Sequence, residues 1–582
     1  MPSSPSALLY RLRCWLHRRE VNVWFDPAYR LPLSGIEAAV GMEPRRADFA
    51  VFWLTESRAV LPRSQRTPRR MSFADLARVH TPELLESLGR PETLARIFSV
   101  DPSDVPVDQL MVTMRLACQA TLDAARETLA SRRPALNLLG GFHHAGPGVA
   151  GGFCPVNDMA VAVAALRADG FRGRVAVLDL DAHPPDGTAA CLAGDPNHWL
   201  GSLSGSDWGP LPGVDEVVLP EGTGDERYLE ALEGLLERMP RPHLAFVIAG
   251  GDVLRGDKFG KLGLTLEGAR RRDLLVAAEL EGTPSVWLPG GGYTSDAWRA
   301  LAGTGMALAT GSLEPIPPGY DPLQARFGRI AAGLGPELLG DVGDITMEDL
   351  EEELGMRPRG QRLLLGFYTA AGMEAALQRF GVLGQVARLG YSHFRVAFDS
   401  TGLGERVRLF GEAEEREHLL VEIVLEKQRC LGHPVLFVHW LLMRNPLARF
   451  SERRPRLPGQ EVPGLGMARE VEEMMALVAL RLGLVGVAFR PSQYHVAFAA
   501  RHTFAFVDAA RQGRFEAMLR DLAGVPLLEA TTAVSEGRVL MDGRPYAWEA
   551  EEMVFWLREN PAEPGEVAHE RDRVKFALGP AT

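Results

Sequence analysis

Asp179, Asp181 and His183 stand at alternate positions in the run Val175-Ala-Val-Leu-Asp-Leu-Asp-Ala-His183. Val175 to Leu178 is short, apolar and β-branched, the pattern of a strand buried in a parallel sheet. Side chains on a strand repeat direction every two residues, so the three polar groups emerge on one side where the chain leaves the sheet. Two carboxylates and an imidazole gathered there suit a divalent cation. The competing reading of this stretch alone is a buried salt-bridge cluster.

The elements around it must bring further groups to the same place. Ala135–Leu139 reads as a strand running into Gly140-Gly-Phe-His-His-Ala-Gly146, and Leu244–Ile248 as one running into Ala249-Gly-Gly-Asp252. Ser285–Leu288 is another, running into Pro289-Gly-Gly-Gly-Tyr293, and Val21–Phe25 is the first. Helical periodicity marks 106–131, 157–168 and 227–238, and Ser72 with Asp75 has the pattern of a capping box. Strands alternating with helices predict an α/β fold, a doubly wound and mainly parallel sheet, in which ligands bind beyond the carboxyl ends of the strands. Four strands carry polar or Gly-rich sequence at that end, which predicts a single site.

Composition bounds the rest. The chain has 582 residues, enough for two or three domains, with 46% hydrophobic and 24% charged residues, as in a soluble globular protein. Its net charge of −12, without a long Lys/Arg run, argues against direct nucleic-acid binding. Cys14, Cys118, Cys154, Cys191 and Cys430 show no CxxC spacing, so free thiols in a reducing compartment are expected. No apolar run of ~20 residues is present to span a membrane. The Arg-rich stretch Ser6–Arg19 is mildly amphipathic and lacks a signal-peptide h-region, so it is expected to be a surface helix of a cytoplasmic protein.

Glu314-Pro-Ile-Pro-Pro-Gly319 interrupts all periodicity and is expected to divide the chain. The expected organisation is a metal-hydrolase domain over 1–313, a Pro-rich junction with an acidic helix (Asp344–Glu353) over 314–359, and an α+β domain over 360–582. In the last, helices are expected at 368–380 and 468–482. Strands are expected at 394–398, 407–410, 419–425, 435–440, 485–489 and 503–507. His393, His433, His439, His495 and His502 sit singly among apolar residues and are expected to be core or surface histidines.

From about Val21 to Thr310 the chain resembles the zinc-dependent histone deacetylase family of the arginase/deacetylase superfamily, which includes bacterial acetylpolyamine and acetoin-utilisation relatives. The resemblance rests on GGFHHA, GFCPVND, DLDAHPPDGT, LPEGTGDERYLEAL, AGGD and PGGGY, in the family's order. It implies Asp181, His183 and Asp252 as zinc ligands, His143 and His144 as the proton-handling pair, and Asp179 and Asp186 as their carboxylate partners. It also implies Tyr293 as the oxyanion donor, Phe153 with Gly152 and Trp208 as walls of a substrate channel, and Asp104 as a rim carboxylate. Each has a plainer structural reading: histidines satisfied by carboxylates, a tyrosine capping a sheet, aromatic residues in a core.

Pro184 and Pro185 depart from the family, which has His or Gln then Gly there, although Asp186 keeps its offset. The resemblance further implies a monovalent cation (K+) near Asp179, Asp181, His183, Ser202 and Leu203. Beyond Gly319, the strand order before Pro458-Gly-Gln-Glu-Val-Pro-Gly-Leu-Gly466 is similar to an acyl-CoA N-acetyltransferase. Its loop departs from Q-x-x-G-x-G/A by one residue and by Pro463. Gly464 and Gly466 would serve an acetyl-CoA pyrophosphate; the alternative is a domain for partner binding or oligomerisation.

The function expected is therefore a deacylase that uses zinc, or iron(II), to hydrolyse an acyl amide, chiefly acetyl, on a lysine-like or polyamine amine. The alternative is a metal-binding protein of the same fold acting mainly as a scaffold through its C-terminal domain. Retention of all three ligands, both histidines and Tyr293 favours the enzyme.

Overall fold

The computed structural model describes residues 12, 14–16, 18–33, 35–340, 363–452, 454–558 and 565–579. The acidic helix expected at 344–353 and most of the amphipathic stretch 6–19 lie outside them. The chain forms two compact units, Met1–Ala325 and Arg326–Thr582.

The first unit is built on strands β1 (Asn22–Trp24), β2 (Gln65–Arg66), β3 (Ala135–Asn137), β4 (Val175–Asp179), β5 (His198–Ser204), β6 (Val214–Val218), β7 (Leu244–Ile248) and β8 (Ser285–Leu288). They form one sheet in the order β2-β1-β3-β8-β7-β4-β5-β6, every pair parallel. β4, β7 and β8 are buried along their whole length, as continuous apolar runs in the middle of a parallel sheet must be. Register brings their ends level: Asp179 lies beside Ile248, and Ile248 beside Leu288. The next few residues of each strand carry the polar groups singled out above, so one sheet edge collects them.

Helices Val107–Ser131, Asp158–Ala168 and Asp225–Arg238 occur where periodicity predicts them. Arg46–Glu56, Leu266–Glu279 and Ala297–Thr310 are additional, as are strands β2, β5 and β6. Ala297–Thr310 is buried at nearly every position and so has no polar face for periodicity to show. The Pro-rich stretch 314–319 belongs to the first unit: Arg299 donates to the carbonyls of Pro317 and Pro318, and to that of Tyr320, at 2.9–3.0 Å.

The second unit contains β9 (Ser392–Thr401), β10 (Gly404–Ala413), β11 (Arg416–Cys430), β12 (His433–Met443), β13 (Gly486–Phe489), β14 (Ala505–Phe506), β15 (Val539–Met541), β16 (Arg544–Pro545), β17 (Met553–Trp556) and β18 (Phe576–Leu578). Seven of them form a mixed sheet in the order β14-β17-β13-β12-β11-β10-β9, in which only β12 and β13 run parallel. A parallel step needs a crossover, and helix Ala468–Arg481 provides it. Cys430, Val435, Phe437, Ala488 and Val554 make a core cluster of this sheet. Among the described residues no helix is long and apolar enough to cross a membrane.

Candidate metal centre and its surroundings

Beyond β4 the chain turns so that the Asp181 amide donates to Asp179 Oδ1 at 3.1 Å, and the His183 amide to Asp181 Oδ1 at 3.1 Å. His183 Nδ1 lies 3.2 Å from Asp181 Oδ1 and 3.1 Å from Asp252 Oδ2. Asp181, His183 and Asp252 each offer one ligand atom within 4.8 Å of the others, the one such group of His, Cys, Asp and Glu among the described residues. Both carboxylates are buried. Burial and the neighbouring Asp181 charge push Asp252 up to about 8. Burial opposes charge on His183, but its bonds to Asp181 and Asp252 hold it up at about 11. Two carboxylates this close and this dry need positive charge between them. The donor set, two hard oxygens and one imidazole, fits a divalent metal with positions left open for reactants.

Backbone at the neighbouring strand ends makes room for that pair. The Gly291 amide donates to Asp181 Oδ2 at 2.7 Å, and a Cβ at Gly291 would sit 2.7 Å from Asp252 Oδ2. A side chain at Gly290 or Gly291 would therefore crowd the carboxylates. The Ala182 amide donates to Asp252 Oδ1 at 3.0 Å, tying the two ligand loops together.

His143 and His144 lie on the turn after β3, fixed from beneath by Asp158. That buried carboxylate accepts from the Phe142 amide at 2.8 Å and from the Thr121 hydroxyl at 2.7 Å. His143 Nδ1 is 2.8 Å from Asp179 Oδ2, and His144 Nδ1 is 2.7 Å from Asp186 Oδ1. The rings are 3.9 Å apart, yet their environments drive them apart electrically. Burial would lower His143, but the Asp179 and Asp181 charges win and hold it up at about 9. Burial and the His143 charge lower His144. The geometry holds one imidazole charged and leaves the other free to take a proton. Pro184 and Pro185 do not disturb this: Asp186 opens helix Asp186–Leu192 and still reaches His144.

Tyr293 packs against Phe153 (centroids 5.0 Å) and edge-on against Phe259 (4.8 Å). Its hydroxyl makes no hydrogen bond among the described residues, and burial with the Asp181 and Asp252 charges pushes its pKa well above the ordinary tyrosine range. It is a neutral donor. Phe153 has φ +63°, and Gly152 before it has φ +54°. A Cβ on Gly152 would lie 2.4 Å from His144 Cδ2, so glycine is required where the backbone passes the ring. Trp208, half exposed, stacks on His144 at 5.3 Å and lies 6.0 Å from His183. Asp104 is buried in the turn Pro102–Asp104; neither it nor Trp208 lines the cavity that His143, His144, Gly152, Phe153, Asp181, His183 and Tyr293 share.

That cavity has a volume of about 40 Å³ and is lined by His143, His144, His183 and Tyr293 together with the apolar Met42 and Met114. It is also lined by a residue the sequence reading did not single out, Arg46, whose Nη2 donates to the Gly290 carbonyl at 3.0 Å. Asp257 was likewise not singled out; it accepts the Tyr293 amide. Neither lies in a motif, and only tertiary contact reveals them. Ser202, beside Asp179 in the sheet, is buried and its Oγ has no hydrogen-bond partner. An orphaned buried hydroxyl next to a carboxylate fits a cation ligand. In the second unit the single histidines assemble no metal group among the described residues: His439 bonds Glu426 at 2.9 Å, and His495 bonds the Thr531 hydroxyl at 3.1 Å.

Residues 41–307 match the histone deacetylase domain. An uncharacterized protein of Picosynechococcus is 36% identical over 193 residues, covering 31% of this chain and 64% of that protein. Histone deacetylase 2 of Arabidopsis thaliana is 29% identical over 303 residues, covering 49% of this chain and 77% of that one. An acetylpolyamine amidohydrolase of Burkholderia pseudomallei is 31% identical over 178 residues, covering 28% and 51%. The chain thus spans between half and about three quarters of the length of these relatives.

Proposed function

We propose that the protein, whose residues 41–307 match the histone deacetylase domain, is a metal-dependent deacetylase that hydrolyses an acetyl amide on a lysine-like or polyamine amine. The observation that carries this reading is the His143/His144 pair. Each ring is tied through Nδ1 to its own carboxylate and shifted in the opposite direction, directly beside the Asp181–His183–Asp252 group. Zinc, or iron(II), held by those three residues would supply Lewis acidity to the amide carbonyl and to the attacking water.

The chain's own residues do the rest. Neutral His144 accepts the proton from the attacking water, while His143, kept charged by Asp179, stabilises negative charge as it develops. The Tyr293 hydroxyl donates to the oxyanion. The proton taken up by His144 then passes to the departing amine. A cavity of about 40 Å³ holds roughly three waters' worth of space, which suits acetyl over longer acyl groups. Trp208 and Phe153 would flank an extended amine chain, with Gly152 keeping the backbone low, and Asp104 would act through the rim turn. Ser202 with Asp179 would hold a monovalent cation.

For the second unit we propose an accessory role in substrate choice or assembly, since every candidate catalytic group lies in the first.

Hydrolysis of fluorogenic N-acetyl-lysine and of acetylated putrescine, before and after chelation, tests the reading. Activity that disappears with the metal and returns on zinc or iron(II) addition is expected. A metal-loaded, folded protein inert on every acetyl amide in the panel would overturn it.

A further inference from the structure

The second unit contains a cavity of about 250 Å³ that the deacetylase reading does not use. It lies among helices Tyr494–Ala500, Ala509–Asp521 and Leu527–Ser535, with Leu522, Val525 and Leu527 on its walls. These side chains make it a place for an apolar body. Two polar groups interrupt the apolar lining. Tyr494 is only 2% exposed, and its hydroxyl makes no hydrogen bond among the described residues. Arg501 stacks its guanidinium over the Phe498 ring, 3.7 Å from the centroid, and spends one N–H on the Phe498 carbonyl at 2.5 Å.

What Arg501 lacks is a counterion. No carboxylate among the described residues pairs with it, and Tyr494 is the one anionisable group that acts on it. Burial lowers its pKa, and Arg501 shares the cavity wall with Tyr494. Arg501 is part-buried, and without a carboxylate partner it differs from Arg45 and Arg272, buried arginines that each pair with one. A buried hydroxyl donor and a cation without a carboxylate partner on the wall of an otherwise apolar cavity call for a ligand that joins an acceptor and a negative charge to an apolar body.

We propose that this cavity binds a small apolar monocarboxylate, its carboxylate held by Arg501 and the Tyr494 hydroxyl and its hydrocarbon part by Leu522, Val525 and Leu527. An apolar cavity of ~150 Å³ admits benzene, so this one has room for a benzoate- or hexanoate-sized acid. The proposal does not depend on the reading of the first unit.

Calorimetric titration of the full-length protein with sodium hexanoate and sodium benzoate tests it, with 1-hexanol as the neutral control. Hexanoate is expected to bind more tightly than hexanol. Arg501→Met keeps the stacked stem and removes the charge; it should weaken hexanoate about tenfold, the worth of one charge-assisted bond, and leave hexanol unchanged. Ala523→Phe places a ring at the cavity from an exposed position, so the fold should survive, and it should abolish both. Circular dichroism checks that each variant is folded. The proposal is overturned if no acid binds at on the order of 10 mM. It is equally overturned if hexanoate and hexanol bind alike, or if folded Arg501→Met and Ala523→Phe bind hexanoate as the parent does.

Discussion

The backbone amide of Tyr293 donates to Asp257 Oδ2 at 2.7 Å, while Oδ1 of the same carboxylate accepts from the amides of Phe259 and Gly260 at 3.0 Å. One side chain thus fixes both the turn that carries the tyrosine and the turn that carries the ring packed edge-on against it. Asp257→Asn keeps the size and one oxygen, but its NH2 must face one of the two donor sets. With Tyr293 free to shift, kcat should fall about 10- to 100-fold, since misplacement of about 1 Å costs that much, with KM and metal content little changed. A variant with full kcat would show that Asp257 does not position Tyr293.

Tyr293→Phe tests the hydroxyl itself. The ring contacts with Phe153 and Phe259 survive, and only a donor without a partner is removed. If it meets the developing oxyanion, kcat should drop about 100-fold or more while KM holds. Steady-state kinetics on an acetyl-lysine substrate decide the matter, and an unaltered kcat would return Tyr293 to a packing role.

Much of this site could be read from the sequence because each functional group sits within a few residues of a strand end. Asp179, Asp181 and His183 follow β4, Asp252 follows β7, and His143 and His144 follow β3, so local pattern locates them. What local pattern misses is support that arrives from far along the chain. Arg46 reaches a carbonyl 244 residues away, and Asp257 holds an amide 36 residues on. Strand β5 escaped notice because Gly201, Ser202 and Ser204 dilute its β-forming residues. Asp104, to which only the resemblance gives a rim role, is buried in its turn.

Arg272 extends the same lesson to stability. It is fully buried, pairs with Asp273 through Nε at 2.9 Å, and donates through Nη1 to the Gly250 carbonyl at 2.8 Å. A longer contact reaches the Leu180 carbonyl at 3.5 Å, so one guanidinium braces both ligand-bearing loops. Arg272→Met leaves Asp273 as a buried charge and should cost about 3–5 kcal/mol, read by urea unfolding. Adding Asp273→Leu should recover part of that loss. Equal destabilisation by the single and double variants would mean that the ion pair is not the source.

The protonation of the ligand group gives the last prediction, for the protein stripped of metal. Asp252 is raised from 3.8 to about 8, His143 from 6.5 to about 9, and His183 from 6.5 to about 11. In each case the folded state holds the proton more tightly than the unfolded chain. The stability so gained is complete below the unfolded value and is lost as pH rises through the folded one. Between pH about 6.5 and 9 all three therefore act in one direction, and the metal-free protein should melt at a progressively lower temperature. His144 is lowered, so its opposing contribution is confined to pH below the ordinary histidine value of 6.5. A bound dication takes the place of these protons, so the loaded protein should lose less stability over the same range, and the gap between the two should widen with pH. Thermal melts of chelated and reloaded protein at several pH values in this window make the comparison. A metal-free melting temperature that rises with pH there would mean that Asp252, His143 and His183 are not protonated as a group.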